Sequence, residues 1–546
     1  MSVTKSTFDS KIKKLLIANR GEIARRIQKA SSALQIPSVL VVSDPDRESL
    51  AARESAECAF IGGSSARESY LDIDKIITAA KERGCNAIHP GYGFLSENGD
   101  FASRVREEGL IFVGPSPESI RALGSKPSAR KAVTAVGVPI TPGSDGVKDD
   151  RELAVAADKT GFPIIIKAAA GGGGRGMRIV RAQSELADSL LRARAEALKN
   201  FGSEEVYFEK FIEQPKHVEV QLFGDKHGNV IHFGTRDCSA QRRHQKLVEE
   251  APAPFLSDAT REKIHSAAVR AAKSVGYYNA GTAEFLVKGE EFYFLEINTR
   301  IQVEHPVTEV ITGVDLVQLQ LKIAMGEQLP YTQDQVTFSG HAIEFRINAE
   351  DVAENFRPAT GSIGSWRRNA SEFVREDFGY TEGDTIPPYY DSLLSKVIVR
   401  GSTRAEALSR AYLYFRNYSV SQMPTTIPFH RWLLCTEQFQ KEGVDIGFVE
   451  REFNASALEV IAKLPTLDPS HRSLEGTAAF HTERVSLPVT ESRLLAVDVI
   501  HEPGGTFLAV PLTANGGPED QSLWCRSNVR AVAIEKAARA VHKDLL

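Results

Sequence analysis

The sequence predicts a multidomain protein that is α/β at its N-terminal end and α+β beyond it. Three observations carry this reading. From Lys14 to about Gly114, short apolar runs alternate with helical stretches, the pattern of parallel βαβ units in an open sheet. From about Gly124 onward apolar runs follow one another closely, as antiparallel strands do. At 546 residues the chain also exceeds one core, since single cores stop growing at roughly 250–300 residues.

In the first unit, 1–123, the run LLIA leads to a helix from Glu22 to Leu34, then SVLVV, AIHP and LIFVG. The turn Asn19-Arg20-Gly21 lacks the glycines of GxGxxG, which argues against a dinucleotide site. In the second unit, 124–340, the runs FPIIIK, EVYFEKFI, HVEVQLFG, NVIHFGT and EFYFLEIN read as antiparallel hairpins. The third unit, 341–455, carries HAIEFRIN, KVIVRG and a helix from Arg404 to about Tyr418. The remainder, 456–546, opens on a polar linker from Thr466 to Thr482. It continues with LLAVDVI and TFLAVPL around Pro503-Gly504-Gly505, then a last helix with Ile534, Val541 and Leu545 on one face. This is a small accessory module of unknown role, and no internal repeat is visible.

Composition excludes several classes. With 66 Lys and Arg against 71 Asp and Glu, the formal charge of -5 gives no global field for nucleic acid, so any anion site is local. No run of about 18 apolar residues exists to span a membrane. The opening segment MSVTKSTFDSKIKK has neither an apolar run nor arginine, so no secretory or transit signal is expected and the cytoplasm is the expected compartment. The five cysteines, Cys58, Cys85, Cys238, Cys435 and Cys525, are scattered without a CxxC pair, which implies neither a disulfide framework nor a zinc site.

Between the strands FPIIIK and MRIV lies AAAGGGGRGM. A Walker loop would read GxxxxGK[ST] and open a helix; this segment does neither. Gly171, Gly172, Gly173 and Gly174, bracketed by Lys167 and Arg175, can bring bare N–H groups onto phosphate oxygens and can also serve as a lid. Taken alone, the loop indicates polyphosphate binding.

Thr282 to Asn298 reads as a hairpin turning around Lys288 to Glu291. With an odd-numbered loop centred on Glu290, Glu284 faces Glu296. Like charges opposed across strands repel, and a bound divalent cation would remove the conflict. Magnesium suits such a site, because it takes few protein carboxylates and keeps positions for water and phosphate; manganese could substitute. The competing reading is a solvated charged hairpin, since Glu290 and Glu291 lie beside it. From Glu296 to Glu304 every second residue is polar (Glu296, Asn298, Arg300, Gln302, Glu304). In an extended strand they would share one side.

These segments resemble biotin carboxylase, of the ATP-grasp superfamily, in order and spacing: IANRGEIA (17–24), HPGYGFLSEN (89–98), GGGGRGM (171–177), RDCSAQRRHQKLVEEAPAP (236–254), EINTRIQVEHPVTE (296–309), RINAED (346–351) and PPYYDSLLSK (387–396). The likeness runs from about residue 14 to 452. It implies a Rossmann-like pre-ATP-grasp domain, an ATP-grasp domain with a mobile lid at about 141–211, and a C-terminal biotin carboxylase domain. It implies that Lys126, Lys167, Met177, Glu209, Lys210, Ile212, His217, Gln241 and His244 surround ATP, with Glu209 to Ile212 beside adenine and His217 near the ribose. It further implies that Glu284 and Glu296 hold Mg²⁺, supported by Asn298. Lys246, Arg300, Gln302 and the Val303 backbone would hold bicarbonate, and Glu304 would be the general base. Arg346 would stabilise the biotin enolate, with Tyr92 and Gly93 lining the biotin site.

The activity so implied is ATP- and bicarbonate-dependent carboxylation of biotin through carboxyphosphate. Biotin is normally attached to a lysine flanked by methionines, and none of Met1, Met177, Met325 and Met423 adjoins a lysine. The expected substrate is therefore biotin on a separate biotin carboxyl carrier protein. A separate carboxyltransferase subunit would complete an acyl-CoA, acetyl-CoA or pyruvate carboxylase. The resemblance also implies a homodimer with Arg26 near its interface. Two departures stand out: Ser125-Lys126-Pro127 where the family usually has aspartate before the lysine and no proline after it, and Ala170 where some members have glycine. The rival readings are an ATP-grasp ligase acting on another carboxylate and a silent nucleotide-binding scaffold.

Overall fold

A computed structural model describes residues 11–144, 150–168, 177–368 and 371–463, together with the main chain of four later strands, Thr482–Thr490, Arg493–Glu502, Thr506–Pro511 and Cys525–Ser527. The first unit is the expected open parallel sheet. Its strands β1 (Leu15–Ile17), β2 (Ser38–Val42), β3 (Cys58–Phe60), β4 (Ala87–His89) and β5 (Ile111–Phe112) lie in the order β3-β2-β1-β4-β5. The β1 side chains are fully buried because helices cover both faces. On one side helix α1 (Gly21–Ala33) buries Ile23, Ala24, Ile27 and Ala30, an apolar stripe at helical spacing.

The small sheet holds β6 (Ile164–Ala168), β7 (Arg178–Val180) and β8 (Val206–Lys210) in the order β7-β6-β8. It has its own core of Leu153, Ile164, Ile166, Val180 and Phe208. Its outer strands are not a hairpin, because the helix Leu186–Phe201 runs between them. The large sheet has eight strands. It contains β9 (Lys216–Gly224), β10 (Val230–Arg242), β11 (Gln245–Ala251), β12 (Asn279–Lys288), β13 (Glu291–Asn298) and β14 (His341–Asn348), ordered β13-β12-β9-β10-β11-β14 and continued by Leu393–Gly401 and Val374–Phe378. Backbone pairing thus runs unbroken across residue 341, through Val248↔Phe345, Glu249↔Glu344, Glu250↔Ile343 and Ala251↔Ala342. The four late strands pair antiparallel in chain order, with Arg493–Glu502 against Thr506–Pro511. The expected final helix lies outside the described residues. The described cysteines Cys58, Cys85, Cys238 and Cys435 form no disulfide.

Two local expectations need correction. The loop of the β12–β13 hairpin is even, not odd: Lys288 pairs with Glu291, leaving Gly289 and Glu290 as a two-residue turn with Gly289 at positive φ. A bulge between Glu284 and Phe285 then inserts Leu295 as an extra residue, so that Phe285 still pairs with Phe294 while Glu284 pairs with Glu296. The bulge reverses the parity of β13. Phe294 can therefore sit in the core with Phe285 and Phe292 while Glu296 turns the other way. Second, extended chain does not reach Glu304: β13 stops at Asn298, and Glu304 caps the helix His305–Thr312.

Cations from the third unit lock it to the second. Arg404 clasps Glu250 with Nε to Oε2 at 2.7 Å and Nη2 to Oε1 at 3.0 Å, and His341 approaches the same carboxylate at 2.8 Å. Burial pushes the Glu250 carboxyl up, but Arg404 and His341 outweigh it and bring it from 4.5 down to about 2. A group depressed on folding contributes stability above its unfolded value, which fades as pH falls through 4.5 toward about 2. Arg404→Met should therefore cost about 3–5 kcal/mol near neutral pH, since it strands a buried charge. In guanidinium titrations the gap to wild type should narrow near pH 3.5. A gap independent of pH would rule the pair out as its source.

Candidate functional site

Between the first sheet, the small sheet and the large sheet lies a cavity of about 860 Å³. Its acidic wall is the β12–β13 hairpin. Glu284 and Glu296 face each other there, and the Asn298 amide donates to Glu284 Oε1 at 2.8 Å. Burial and then the neighbouring Glu284 charge push the Glu296 carboxyl up. Glu284 behaves oppositely: against the upward push of burial, Lys246 and then His217 hold its carboxyl well below the usual range. The pair is unequal because the cations crowd one side of it. Two hard oxygen donors in mutual conflict, with an amide beside them, are a donor set that fits Mg²⁺.

Behind this pair the Lys246 ammonium is held by three carboxylates: Glu219 at 2.6 Å, Glu304 at 2.7 Å and Glu284 at 3.0 Å. The two other clusters with metal-ligand spacing, His217–Glu219–Glu284 and Glu219–Cys238–Glu304, share their carboxylates with this lysine. Arg236, fully buried, bonds Glu219 on its far side and also reaches Gln221 at 2.8 Å and Thr308 at 3.1 Å. Arg346, from β14, joins Glu304 to Glu249 by Nη2 to Oε2 at 2.9 Å and Nε to Oε1 at 2.6 Å. Burial would raise the Glu304 carboxyl, yet Lys246, Arg346 and Arg236 hold it well below the ordinary range. Glu249 lies on the other side of the balance: burial pushes it up, with Arg346 opposing, to about 7.

Gln302 donates to Glu284 at 3.1 Å and accepts from Arg300 Nη1 at 2.7 Å, while Arg300 Nε bonds Glu97 at 2.9 Å. Val303 lines the cavity in the turn before Glu304. Tyr92 and Gly93 lie on the same wall, Gly93 at φ +65°, where an L side chain would be strained. The Tyr92 hydroxyl bonds Glu22, which also pairs with the fully buried Lys396 at 3.0 Å.

At the other end of the cavity Glu209 is clasped by Arg130 and Lys167, each at 2.6 Å. The Lys210 ammonium turns back onto the carbonyls of Phe162 at 2.8 Å and Gly161 at 3.0 Å. Met177 and Ile212 line this end, and Gln241 bonds the His217 ring at 3.2 Å. His244 sits in the β10–β11 turn at φ +65°, its imidazole pushed down by burial. Lys126 opens the helix Lys126–Ala135 and lines the cavity. Pro127 is harmless there, because first-turn N–H groups have no partner within a helix.

Every described residue singled out for this site therefore reaches the cavity wall except Glu304, which is fully buried behind Lys246 and Arg346. Gly171 to Gly174 lie outside the described residues. Sequence reasoning missed Glu219, Arg236, Glu249, Lys396 and Glu22. A signal existed for the first: in HVEVQ, His217, Glu219 and Gln221 alternate with valines, and β9 pairs Glu219 with Glu284 and Gln221 with Thr282.

Comparison with known proteins follows the same outline. The profile described as the biotin carboxylase N-terminal domain matches residues 11–120. That of the carbamoyl-phosphate synthase L chain ATP-binding domain matches 125–332, and that of the biotin carboxylase C-terminal domain matches 344–451. A biotin carboxylase of Nostoc sp. is 49% identical over 442 residues, covering 81% of this chain and 99% of that protein. A mitochondrial methylcrotonoyl-CoA carboxylase subunit alpha of Oryza sativa is 49% identical over 81% of this chain, which spans 61% of that relative's length. Among solved structures, the biotin carboxylase-β,γ-ATP complex from Campylobacter jejuni has a TM-score of 0.77 at 40% identity, covering 81% of this chain and 99% of that one. The biotin carboxylase domain of Hydrogenobacter thermophilus 2-oxoglutarate carboxylase, with MgADP, ADP and bicarbonate, has a TM-score of 0.77 at 43% identity, with coverages of 81% and 99%.

The opposed acids make a direct test possible. In EDTA, Glu296→Gln should melt above wild type by about 2 °C, the equivalent of roughly 1 kcal/mol of relieved repulsion. With ADP present, MgCl₂ should raise the wild-type melting temperature and leave that of the variant unchanged. A variant that melts lower in EDTA would speak against the conflict.

Proposed function

This chain belongs to the biotin carboxylase family, and on that premise we propose that it uses ATP and bicarbonate to carboxylate biotin on a separate biotin carboxyl carrier protein. It would act as the biotin carboxylase subunit of a multi-subunit acyl-CoA, acetyl-CoA or pyruvate carboxylase. The observation that carries the reading is that Lys246, Gln302 and Arg346, all lining one cavity, contact Glu284 or the Glu304 buried behind them, while Arg300 on the same cavity bonds Gln302.

Held by Glu284 and Glu296 with Asn298 beside them, Mg²⁺ would offset the charge of the nucleotide phosphates. Lys126, Lys167, Met177, Glu209 to Ile212, His217, Gln241 and His244 form the nucleotide end. Bicarbonate would lie against Lys246, Arg300, Gln302 and the Val303 amide; a guanidinium matches a planar carbonate through two parallel N–H bonds. Glu304 is the base. Its cations make it weakly basic as it stands, and an anion that draws Lys246 toward itself would lift one of those restraints. The carbonate oxygen would attack the γ-phosphorus and ADP would leave, giving carboxyphosphate; positioning and charge do most of that work. Carboxyphosphate then yields CO₂ and phosphate. The phosphate takes the ureido proton of biotin, Arg346 stabilises the enolate oxygen beside Tyr92 and Gly93, and the ureido nitrogen attacks CO₂ as the enolate collapses, giving carboxybiotin.

The working parts would be 1–123, an ATP-grasp domain at 124–340 with a lid at about 141–211, and 341–455. The separate core of the small sheet supports treating that lid as a unit. No helix among the described residues is long and apolar enough to cross a membrane, and the cytoplasmic location is part of the proposal. So is a homodimer, with Arg26, internally bound to Glu309 at 2.7 Å and Asp315 at 2.6 Å, near its interface. The accessory region would dock the carrier or the carboxyltransferase subunit. Because Ala457 and Ile461 of the helix Ala455–Lys463 pack on the core of the third unit, its boundary for truncation is after Lys463.

Coupled ADP assays with free biotin test the reaction. Glu304→Gln should lower bicarbonate- and biotin-dependent turnover by about 10²–10⁴, the range for a lost general base, with the KM for ATP little changed. ADP release by wild type that ignores both biotin and bicarbonate would refute the assignment. Truncation after Lys463 should preserve free-biotin carboxylation and weaken assembly with the partner subunits, read by co-purification; unchanged assembly would remove the docking role.

A further inference from the structure

The expected anion-binding turn, Gln302 to Glu304, lies outside any strand, so no ladder of backbone bonds fixes its peptide planes. Apart from the His305 backbone N–H, 3.4 Å from the Gln302 carbonyl oxygen, it is a buried side chain that does so. His305, fully buried, has Nδ1 at 2.7 Å from the Gln302 carbonyl oxygen. That oxygen can only accept, so Nδ1 carries the proton. In a trans peptide the N–H points opposite to the C=O, so anchoring the Gln302 carbonyl inward turns the Val303 N–H toward the cavity that Gln302 and Val303 line.

The surroundings keep this imidazole in its neutral form. Nε2 has no hydrogen-bond partner, and the Glu309 carboxylate on the same helix stays 4.0 Å away. Burial and then Lys396, Arg26 and Arg375 hold the imidazole well below its usual range. These cations come from the strand Leu393–Gly401, from α1 and from the strand Val374–Phe378. Lys396 also grips the next carbonyl, that of Val303, at 2.9 Å, so both peptides leading into Glu304 are held from behind.

We propose that His305 is a positioning residue for the carboxylation reaction: its Nδ1–H, through the Gln302 carbonyl, aims the Val303 amide at the substrate anion. This rests on the bicarbonate-dependent reading of the site. It assigns His305 no contact with substrate. What it predicts is a defect confined to one substrate.

The test exploits which ring nitrogen is used. An asparagine side-chain nitrogen can stand where Nδ1 stood, whereas a glutamine nitrogen stands nearer Nε2. In the full-length enzyme with free biotin, His305→Asn should keep the KM for bicarbonate within about threefold of wild type, and His305→Gln should raise it about tenfold. Both should leave the KM for ATP within about twofold, by the same reasoning. Equal bicarbonate KM values for the two variants would overturn the inference, as would parallel rises in both KM values. Should either variant fail to fold, His305→Leu takes its place and is judged against wild type: its bicarbonate KM should rise about tenfold with the ATP KM within about twofold, and an unchanged bicarbonate KM or parallel rises would overturn the inference. Wild type without bicarbonate-dependent turnover would overturn this inference and the functional reading together. An active wild type with indistinguishable variants would overturn the inference alone.

Discussion

The Lys246 ammonium, enclosed by Glu219, Glu284 and Glu304, is the interaction on which the site depends. Three carboxylates brought together away from water would be intolerable without a cation among them. Burial alone would pull that lysine below its usual range, but its acidic neighbours raise it well above and keep it charged. Arg236 and Arg346 extend the alternation outward, so each acid in this group touches a base and each base touches an acid. The chain thus lines one end of the cavity with Lys246, Arg300 and Arg346, each already paired to carboxylates, without any excess of positive charge overall.

The partners in this alternation come from distant stretches of sequence, and the large sheet assembles them. Glu219 is on β9, Arg236 on β10, Lys246 and Glu249 on β11, Glu284 on β12 and Arg346 on β14. Neighbouring strands lie about 4.8 Å apart, so residues in register on adjacent strands are automatically within reach of one ion pair. Lys396 extends the pattern to the next strand and reaches Glu22 in the first unit, joining the two sides of the cavity.

How much of this was legible follows the range of each interaction. The parallel first unit was readable because its strands and helices announce themselves by local periodicity. The acid pair was readable from a hairpin, although the loop parity assumed for it was wrong and the bulge at Leu295 supplied the register instead. The extended run through Glu304 was not, because period-two polarity also fits a strand that ends at Asn298 and turns into a helix cap. Side chains whose partners lie far away, such as Lys396 and Glu249, carry no local mark. Resemblance located most of the cavity wall, but not the burial of Glu304 beneath two cations.

The unbroken pairing of β11 with β14 has a mechanical consequence. A hinge inside the large sheet would have to break consecutive ladder bonds and tear the ion pairs strung across them, so the acids and bases of the site move as one rigid plate. The small sheet is fastened differently. Among the described residues the small sheet has its own core, and between its lead-in segment and the large sheet there is a single bridge, Ile140 against Phe294. A swing of the small sheet, as proposed for the lid, would therefore leave the charge arrangement at the cavity floor undisturbed.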